Sequence, residues 1–297
     1  MTNDITTFNG GQLPADPTQV GDYYKQYAQA YAESERSAGS SITLRNGVMS
    51  VGDQPLPGNM LAGVVLDAVR LNAYYDKPFN PQNVEPPVCY AIGRDEMQMA
   101  PHPDMAKGPA YFKPQAQACN GCPLNEFGSN STGQGKACSN RRRLLILPAG
   151  YYEMGPNGLQ LVPITDPEHY KTSPFLTLTL SPTTLQGWGQ WVRKSAADYQ
   201  RPMFGLISRI YLYAHPKHGK EAVGFETLAP VPGELDAIVI QRHVEATQDI
   251  MQGFEVPTQQ GNQRGGGFYN TQANAQPAQG AIGYQPQGQA PHNPFQG

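Results

Sequence analysis

Four cysteines, Cys89, Cys119, Cys122 and Cys138, are the only ones in a chain of 297 residues, and they stand in the pattern C-x29-C-x2-C-x15-C. They fall in or at the edge of the stretch from Lys77 to Gly135, which is crowded with Pro, Gly and Asn and has little periodicity beyond a short strand candidate, Val88-Cys-Tyr-Ala-Ile. An irregular run of that length inside a compact domain needs something other than an apolar core to hold it. Zn2+ takes thiolates four at a time, and a C-x2-C turn such as Cys119-Asn-Gly-Cys122 presents two of them together. Gly121 permits that turn, and Pro123, Gly133 and Gly135 suit loops wrapped around an ion. The spacing therefore predicts a structural zinc site of Cys89, Cys119, Cys122 and Cys138, with no open position for water or substrate. Four thiolates also suit an iron-sulfur cluster, the pair could be a redox couple or plain buried thiols, and His102 is an alternative ligand.

The compartment bears on this reading. Met1-Thr-Asn-Asp-Ile lacks the basic and apolar regions of a secretory signal, which predicts a reducing cytoplasm where a disulfide framework does not persist. The longest candidate for a buried run, Met60 to Val69, contains Asp67 and is far short of the ~20 apolar residues that span a bilayer. No membrane partner is expected.

Charge is distributed unevenly. The chain as a whole carries a formal net charge of -3, so no global cationic field attracts nucleic acid or anionic lipid. From Lys107 to Arg143, however, Lys107, Lys113, Lys136, Arg141, Arg142 and Arg143 face Glu126 alone, a local excess of +5. Tyr90, Tyr111, Phe112 and Phe127 are interleaved with these charges. A cationic track with stacking platforms is what a single nucleic-acid strand requires, although a charge run is also the pattern of a solvated face.

Around this segment the chain reads as mostly β. Gly and Pro supply 60 of 297 residues, so turns are plentiful, and apolar residues, with Gly counted and Tyr omitted, are about 44%, enough for a core. Asn46-Gly47 between two short alternating runs, from Ile42 to Val51, predicts a hairpin. Gly63 to Tyr75, Arg143 to Leu147, Leu159 to Ile164, Phe175 to Leu180, Phe204 to Tyr213 and Ala222 to Leu228 read as strands. Ser181-Pro182 opens a predicted helix with a stripe of Leu185, Trp188, Val192, Ala196 and Tyr199, and Ala237 to Met251 is helical by pattern. Residues 1–40 read as an arm with a helix from Asp22 carrying a tyrosine stripe for packing or stacking. Residues 41–256 form the core, including the zinc-binding segment 85–143. Residues 257–297 hold ten Gln, eight Gly, five Pro and Arg264 as their only charge, which predicts a disordered tail.

Phosphate-binding loops, dinucleotide fingerprints, H-E-x-x-H and G-x-S-x-G are absent from the sequence. His215-Pro-Lys-His218 reads as a surface loop, His243 and Glu245 have no evident partner, and no carboxylate pair stands out. The expected protein is not an enzyme.

Two resemblances add to this. The block Pro87-Val-Cys-Tyr-Ala-Ile-Gly, Gln115-Ala-Gln-Ala-Cys-Asn-Gly-Cys-Pro-Leu-Asn-Glu-Phe-Gly-Ser and Gly135-Lys-Ala-Cys-Ser-Asn-Arg-Arg-Arg-Leu resembles a cysteine block of uncharacterised tailed-bacteriophage proteins. The following Leu178-Thr-Leu-Ser-Pro-Thr-Thr-Leu and the Phe204 to Tyr213 strand resemble their downstream part. In organisation the chain is similar to phage helix-destabilising proteins, which implies an OB-like barrel with a zinc-stapled insertion, covering single strands in replication or recombination. It departs from them in offering four cysteines rather than three and a histidine, and its Pro294-Phe295 end lacks acidic residues.

The sequence thus leads to an α+β, mostly β protein with an OB-like barrel core. It is expected to bind single-stranded DNA in the host cytoplasm through Lys107, Lys113, Lys136, Arg141, Arg142 and Arg143, with stacking on Tyr111, Phe112 and Phe127. Replication or recombination proteins, and self-association through the tail, are its expected further contacts. The rival expectations are a zinc-stabilised protein-interaction or phage structural module, and an iron-sulfur nuclease.

Overall fold

The computed structural model describes residues 41–78, 85–216, 219 and 221–254. The arm with its predicted helix, the tail from Pro257, and His218 lie outside the described residues.

Asn46 and Gly47 both take positive φ, 51° and 78°, and close the expected hairpin of β1 (Ser41–Arg45) and β2 (Val48–Val51). Strands β3 (Gln54–Pro55), β4 (Met60–Tyr74), β5 (Cys89–Gly93), β6 (Cys138–Gly155) and β7 (Gly158–Pro163) follow. The short helix α1 (Pro167–Thr172), absent from the sequence reading although Asp166 caps it and Pro167 opens it, precedes β8 (Leu176–Leu180) and helix α2 (Leu185–Tyr199). The chain then forms β9 (Leu206–Ala214), β10 (Glu221–Pro230) and helix α3 (Gly233–Asp249). No described helix is long and apolar enough to cross a membrane.

All ten strands join one mixed sheet along the path β10-β9-β4-β6-β8-β1-β2-β3, with β5 added to β4 and β7 to β6. The pairing of β1 with β8 is parallel and the other described pairs are antiparallel. The α+β, mostly β class holds. Where the sequence predicts a barrel, the structure has an open sheet whose ends are β10 and β3. That sheet bends strongly: the Asn59 side chain accepts from Met49 N–H and donates to the Gly47 carbonyl, both at 2.9 Å, and Gly47 N–H also donates to Glu221 at the start of β10.

Two cores lie on opposite faces. Ile42, Met49, Leu61, Val65, Leu144, Ile146, Leu178 and Ile210 fill the concave side, which Trp188 and Trp191 of α2 close. Val64, Leu66, Leu71, Leu145 and Leu147 point the other way, against Leu235, Val239, Ala246 and Ile250 of α3 and its end, together with Tyr90, Met105 and Phe112. With both faces buried, β4 and the middle of β6, from Leu144 to Leu147, lose the polar alternation of a half-exposed strand. Among the charged groups enclosed here, Asp67, 2% exposed beside a register shift in β4, takes a bidentate pair from Arg94.

Helix α2 starts after a 3-10 turn at Pro182–Thr184 and buries Trp188, Trp191 and Ser195 rather than Ala196 and Tyr199. Trp191 stacks on Phe225 and donates to Thr227 Oγ1 at 3.1 Å, which turns the buried face toward β10.

Candidate metal centre and adjoining cationic cleft

Sheet register assembles the cysteines. Tyr74 of β4 is the cross-strand partner of Cys89 on one side and of Cys138 on the other, so the two thiols flank it on one face. The loop between β5 and β6 brings the other pair. Cys119 N–H donates to the Met99 carbonyl at 2.8 Å, Gly121 turns the chain at φ 74°, and Asn125 N–H donates to the Cys122 carbonyl at 2.8 Å. All four cysteines line one cavity of about 20 Å3, shared with Asn72, Leu124 and Asn125. That is room for about one atom-sized guest.

The thiols perturb one another. Burial raises the Cys89 and Cys119 pKa values, partly offset by a hydrogen bond from the Gln115 backbone to Cys89 and from the Asn72 side chain to Cys119. Cys138 is pushed up to about 12 by burial first, then by Cys119, Cys89 and Cys122. Cys89, Cys119 and Cys138 are thereby held toward the neutral thiol unless a cation joins them. Among the described residues, no three His, Cys, Asp or Glu side chains stand in ligating positions around one point. The cysteines share a cavity without closing on a centre. His102 does not line it: its ring stacks on Tyr90 at 5.3 Å and its Nε2 lies 3.0 Å from the Met251 carbonyl.

The same face continues from the cysteines toward α2. One rung along, Asn72 pairs Asn140, whose Nδ2 donates to Asn72 Oδ1 at 2.7 Å and to Asn125 Oδ1 at 2.9 Å, while Asn125 Nδ2 donates to the Cys119 carbonyl at 3.0 Å. At the next rung Arg70 pairs Arg142. These rungs and the start of α2 enclose a cleft of about 320 Å3. Arg70, Arg141, Arg142 and Arg193 line it with a single carboxylate, Glu96, whose Oε2 is 2.8 Å from Arg70 Nη1. Burial lowers the Arg142 pKa, the Arg70 charge lowers it further, and Glu96 opposes both. Neither the Arg142 nor the Arg193 side chain has a hydrogen-bond or ion-pair partner among the described residues.

The residues that sequence singled out for nucleic acid divide accordingly. Lys107, Lys113 and Lys136 are exposed, Phe127 is 78% exposed, and Tyr111 has an open edge. Arg141 lies over the Tyr75 ring with its Nε donating to Ser139 Oγ at 3.0 Å. Two of the expected contacts are corrected. Phe112, 7% exposed, is part of the outer core and meets the edge of Tyr90, so it offers no stacking face. Arg143, 6% exposed, points away from Arg142 into the α3 side, where it donates to the Ile250 and Gln252 carbonyls and lies over Phe254. Arg70 and Arg193 were missed: each is an isolated cation in its own segment, and only cross-strand register and the seat of α2 bring them together. His243 is structural, with Nδ1 2.8 Å from the Leu66 carbonyl and its ring on Phe204, and Glu245 pairs Arg242.

No family model, curated protein or solved structure matches the chain.

Proposed function

We propose that the protein binds single-stranded DNA without catalysing a reaction, as a phage-type replication or recombination factor in the host cytoplasm. The observation that carries this reading is the strand path. In an OB barrel the second strand lies between the first and third, the fourth pairs the first, the fifth runs parallel to the third, and a helix joins the third to the fourth. Here β4, β6, β8 and β9 follow that order with α2 between β8 and β9, and β1, parallel to β8, takes the place of the fifth strand. This strand order supports the reading of a permuted OB-like core whose last strand comes first in sequence, in a sheet that stays open.

In this reading the described residues between β4 and β6 belong to the loop between the first two barrel strands, one of the loops with which OB barrels grip oligonucleotides. That loop carries Lys107, Lys113, Lys136, Tyr111 and Phe127, and beside it stand Arg141 and Arg142. The cations neutralise phosphates and the exposed rings stack bases. Cys89, Cys119, Cys122 and Cys138 would hold a structural Zn2+, which fixes the loop and offsets the cost of crowding four thiolates. The residues fit that ion in kind and number, and the N–H groups of Gln115 and Asn72 directed at Cys89 and Cys119 suit thiolate acceptors.

The test is a fluorescence-anisotropy titration of labelled single-stranded and duplex oligonucleotides at two salt concentrations. Tight, salt-dependent preference for the single strand is expected. No binding at low salt overturns the reading and favours a zinc-stabilised protein-interaction module. Magnesium-dependent cleavage by a brown preparation favours an iron-sulfur nuclease.

A further inference from the structure

The cleft between β4, β6 and α2 permits a sharper statement, which rests on the single-strand binding proposed above. Arg70 and Arg142 leave neighbouring strands at the same rung and on the same face, so two guanidinium groups are held side by side. Such a pair is costly unless an anion lies between or beside them. Glu96 supplies one carboxylate to Arg70, but its side chain is 56% exposed and it sits in a single 3-10 turn, so that bond is readily exchanged. From the facing wall Arg193 reaches back over Gly189, where even a Cβ would come to 3.5 Å from its Nη1. Leu185, Trp188 and Val192 complete that wall with apolar surface.

Guanidinium forks match phosphate oxygens in pairs and keep their charge at any working pH. A volume of about 320 Å3 lies at the small end of ligand pockets, large enough for one nucleotide unit and too small for a folded partner. We infer that the cleft is a phosphate clamp: Arg142 and Arg193 hold one backbone phosphodiester of the bound strand. Arg70, released from Glu96, is its third donor, and the Leu185 to Val192 wall covers the attached nucleoside.

The experiment compares the full-length protein with Arg193→Gln and Arg70→Gln by anisotropy with an oligothymidylate across a salt series. Arg193 is exposed on a helix that keeps its tryptophan anchors, so this variant leaves the fold intact, as a thermal melt checks. Each substitution is expected to weaken binding about tenfold and to reduce the slope of log affinity against log salt by about 0.7, the value of one lost phosphate contact on a single strand. Unchanged affinity and slope in both folded variants overturn the clamp while leaving single-strand binding in place. If the unsubstituted protein binds no strand at low salt, the functional reading itself fails, and a second readout decides the cleft. Trp188 lines it and is one of two tryptophans, so its fluorescence reports on inorganic phosphate and thymidine monophosphate. Quenching by either one, lost in Arg193→Gln, identifies a free-phosphate site and overturns the strand clamp; no quenching overturns any anion site here.

Discussion

Replacing Arg143 separates a structural arginine from the neighbours proposed to bind a strand. In Arg143→Met the chain loses hydrogen bonds from a charged donor to the Ile250 carbonyl at 3.3 Å and the Gln252 carbonyl at 2.5 Å. Bonds of this kind contribute about 1.5–3 kcal/mol each. It also loses the guanidinium 5.3 Å above the Phe254 ring, a contact of about 2 kcal/mol when desolvated. Against this stands the cost of burying the charge. Burial takes the Arg143 pKa from 12.5 to about 10, with Tyr90 opposing. At about 1.4 kcal/mol per pH unit, that is roughly 3 kcal/mol regained when the cation is removed. The balance is a loss of about 3 kcal/mol. For a folded region of this size the melting temperature should fall by roughly 6–12 °C. Hydrogen exchange should quicken at Ile250 to Phe254, where the end of α3 is tied down. Affinity for a single strand, corrected for the folded fraction, should stay within about twofold. A variant that melts like the parent yet binds tenfold more weakly would place Arg143 in the binding surface and refute this assignment.

Three further outcomes are expected. The purified protein should be colourless with one zinc per chain, and Cys119→Ser with Cys122→Ser should abolish the metal; a metal-free preparation whose melting point ignores chelators would remove zinc from the account. Phe127→Ala should leave stability unchanged, because the ring is 78% exposed, and weaken single-strand binding by about 1–3 kcal/mol; equal affinity in anisotropy would exclude stacking there. Gly224→Val should destabilise by about 1–3 kcal/mol, since a Cβ would lie 2.3 Å from the ring of its cross-strand partner Tyr211. Urea denaturation checks the last, and a Tyr211→Ala background should restore much of the loss.

How far the sequence could be read depends on whether a signal is local. Asn46-Gly47 needs only its own backbone to close β1 on β2, and the C-x2-C turn needs only Gly121, so both were legible. The stripe on α2 was displaced because its phase answers to Phe225 and Thr227, which arrive from β10 much later in the chain. An open path with a parallel β1–β8 pair has no local signature at all. It records which strand edges remained free once the two long central strands, β4 and β6, had paired.

The run Arg141-Arg142-Arg143 carries the same lesson into function. As a charge count it looks like one patch, but it lies within strand β6, and a strand sends alternate side chains to opposite faces. Arg142 shares its face with Leu144 and so reaches the cleft at the mouth of the inner core; Arg143 shares its face with Leu145 and is drawn under α3. Which of the two meets a ligand is therefore decided by what covers each face. The concave face runs out of apolar partners at Arg70 and Arg142, where α2 leaves the sheet and a cleft opens. The outer face is covered further along by the Ile250 to Phe254 segment, where the Ile250 and Gln252 carbonyls accept from Arg143 Nη1 and the Phe254 ring covers the guanidinium, burying it away from a phosphate. The proposed binding surface is accordingly set by where packing stops: cations distant in sequence, Arg70 and Arg193, line the cleft while the adjacent Arg143 does not.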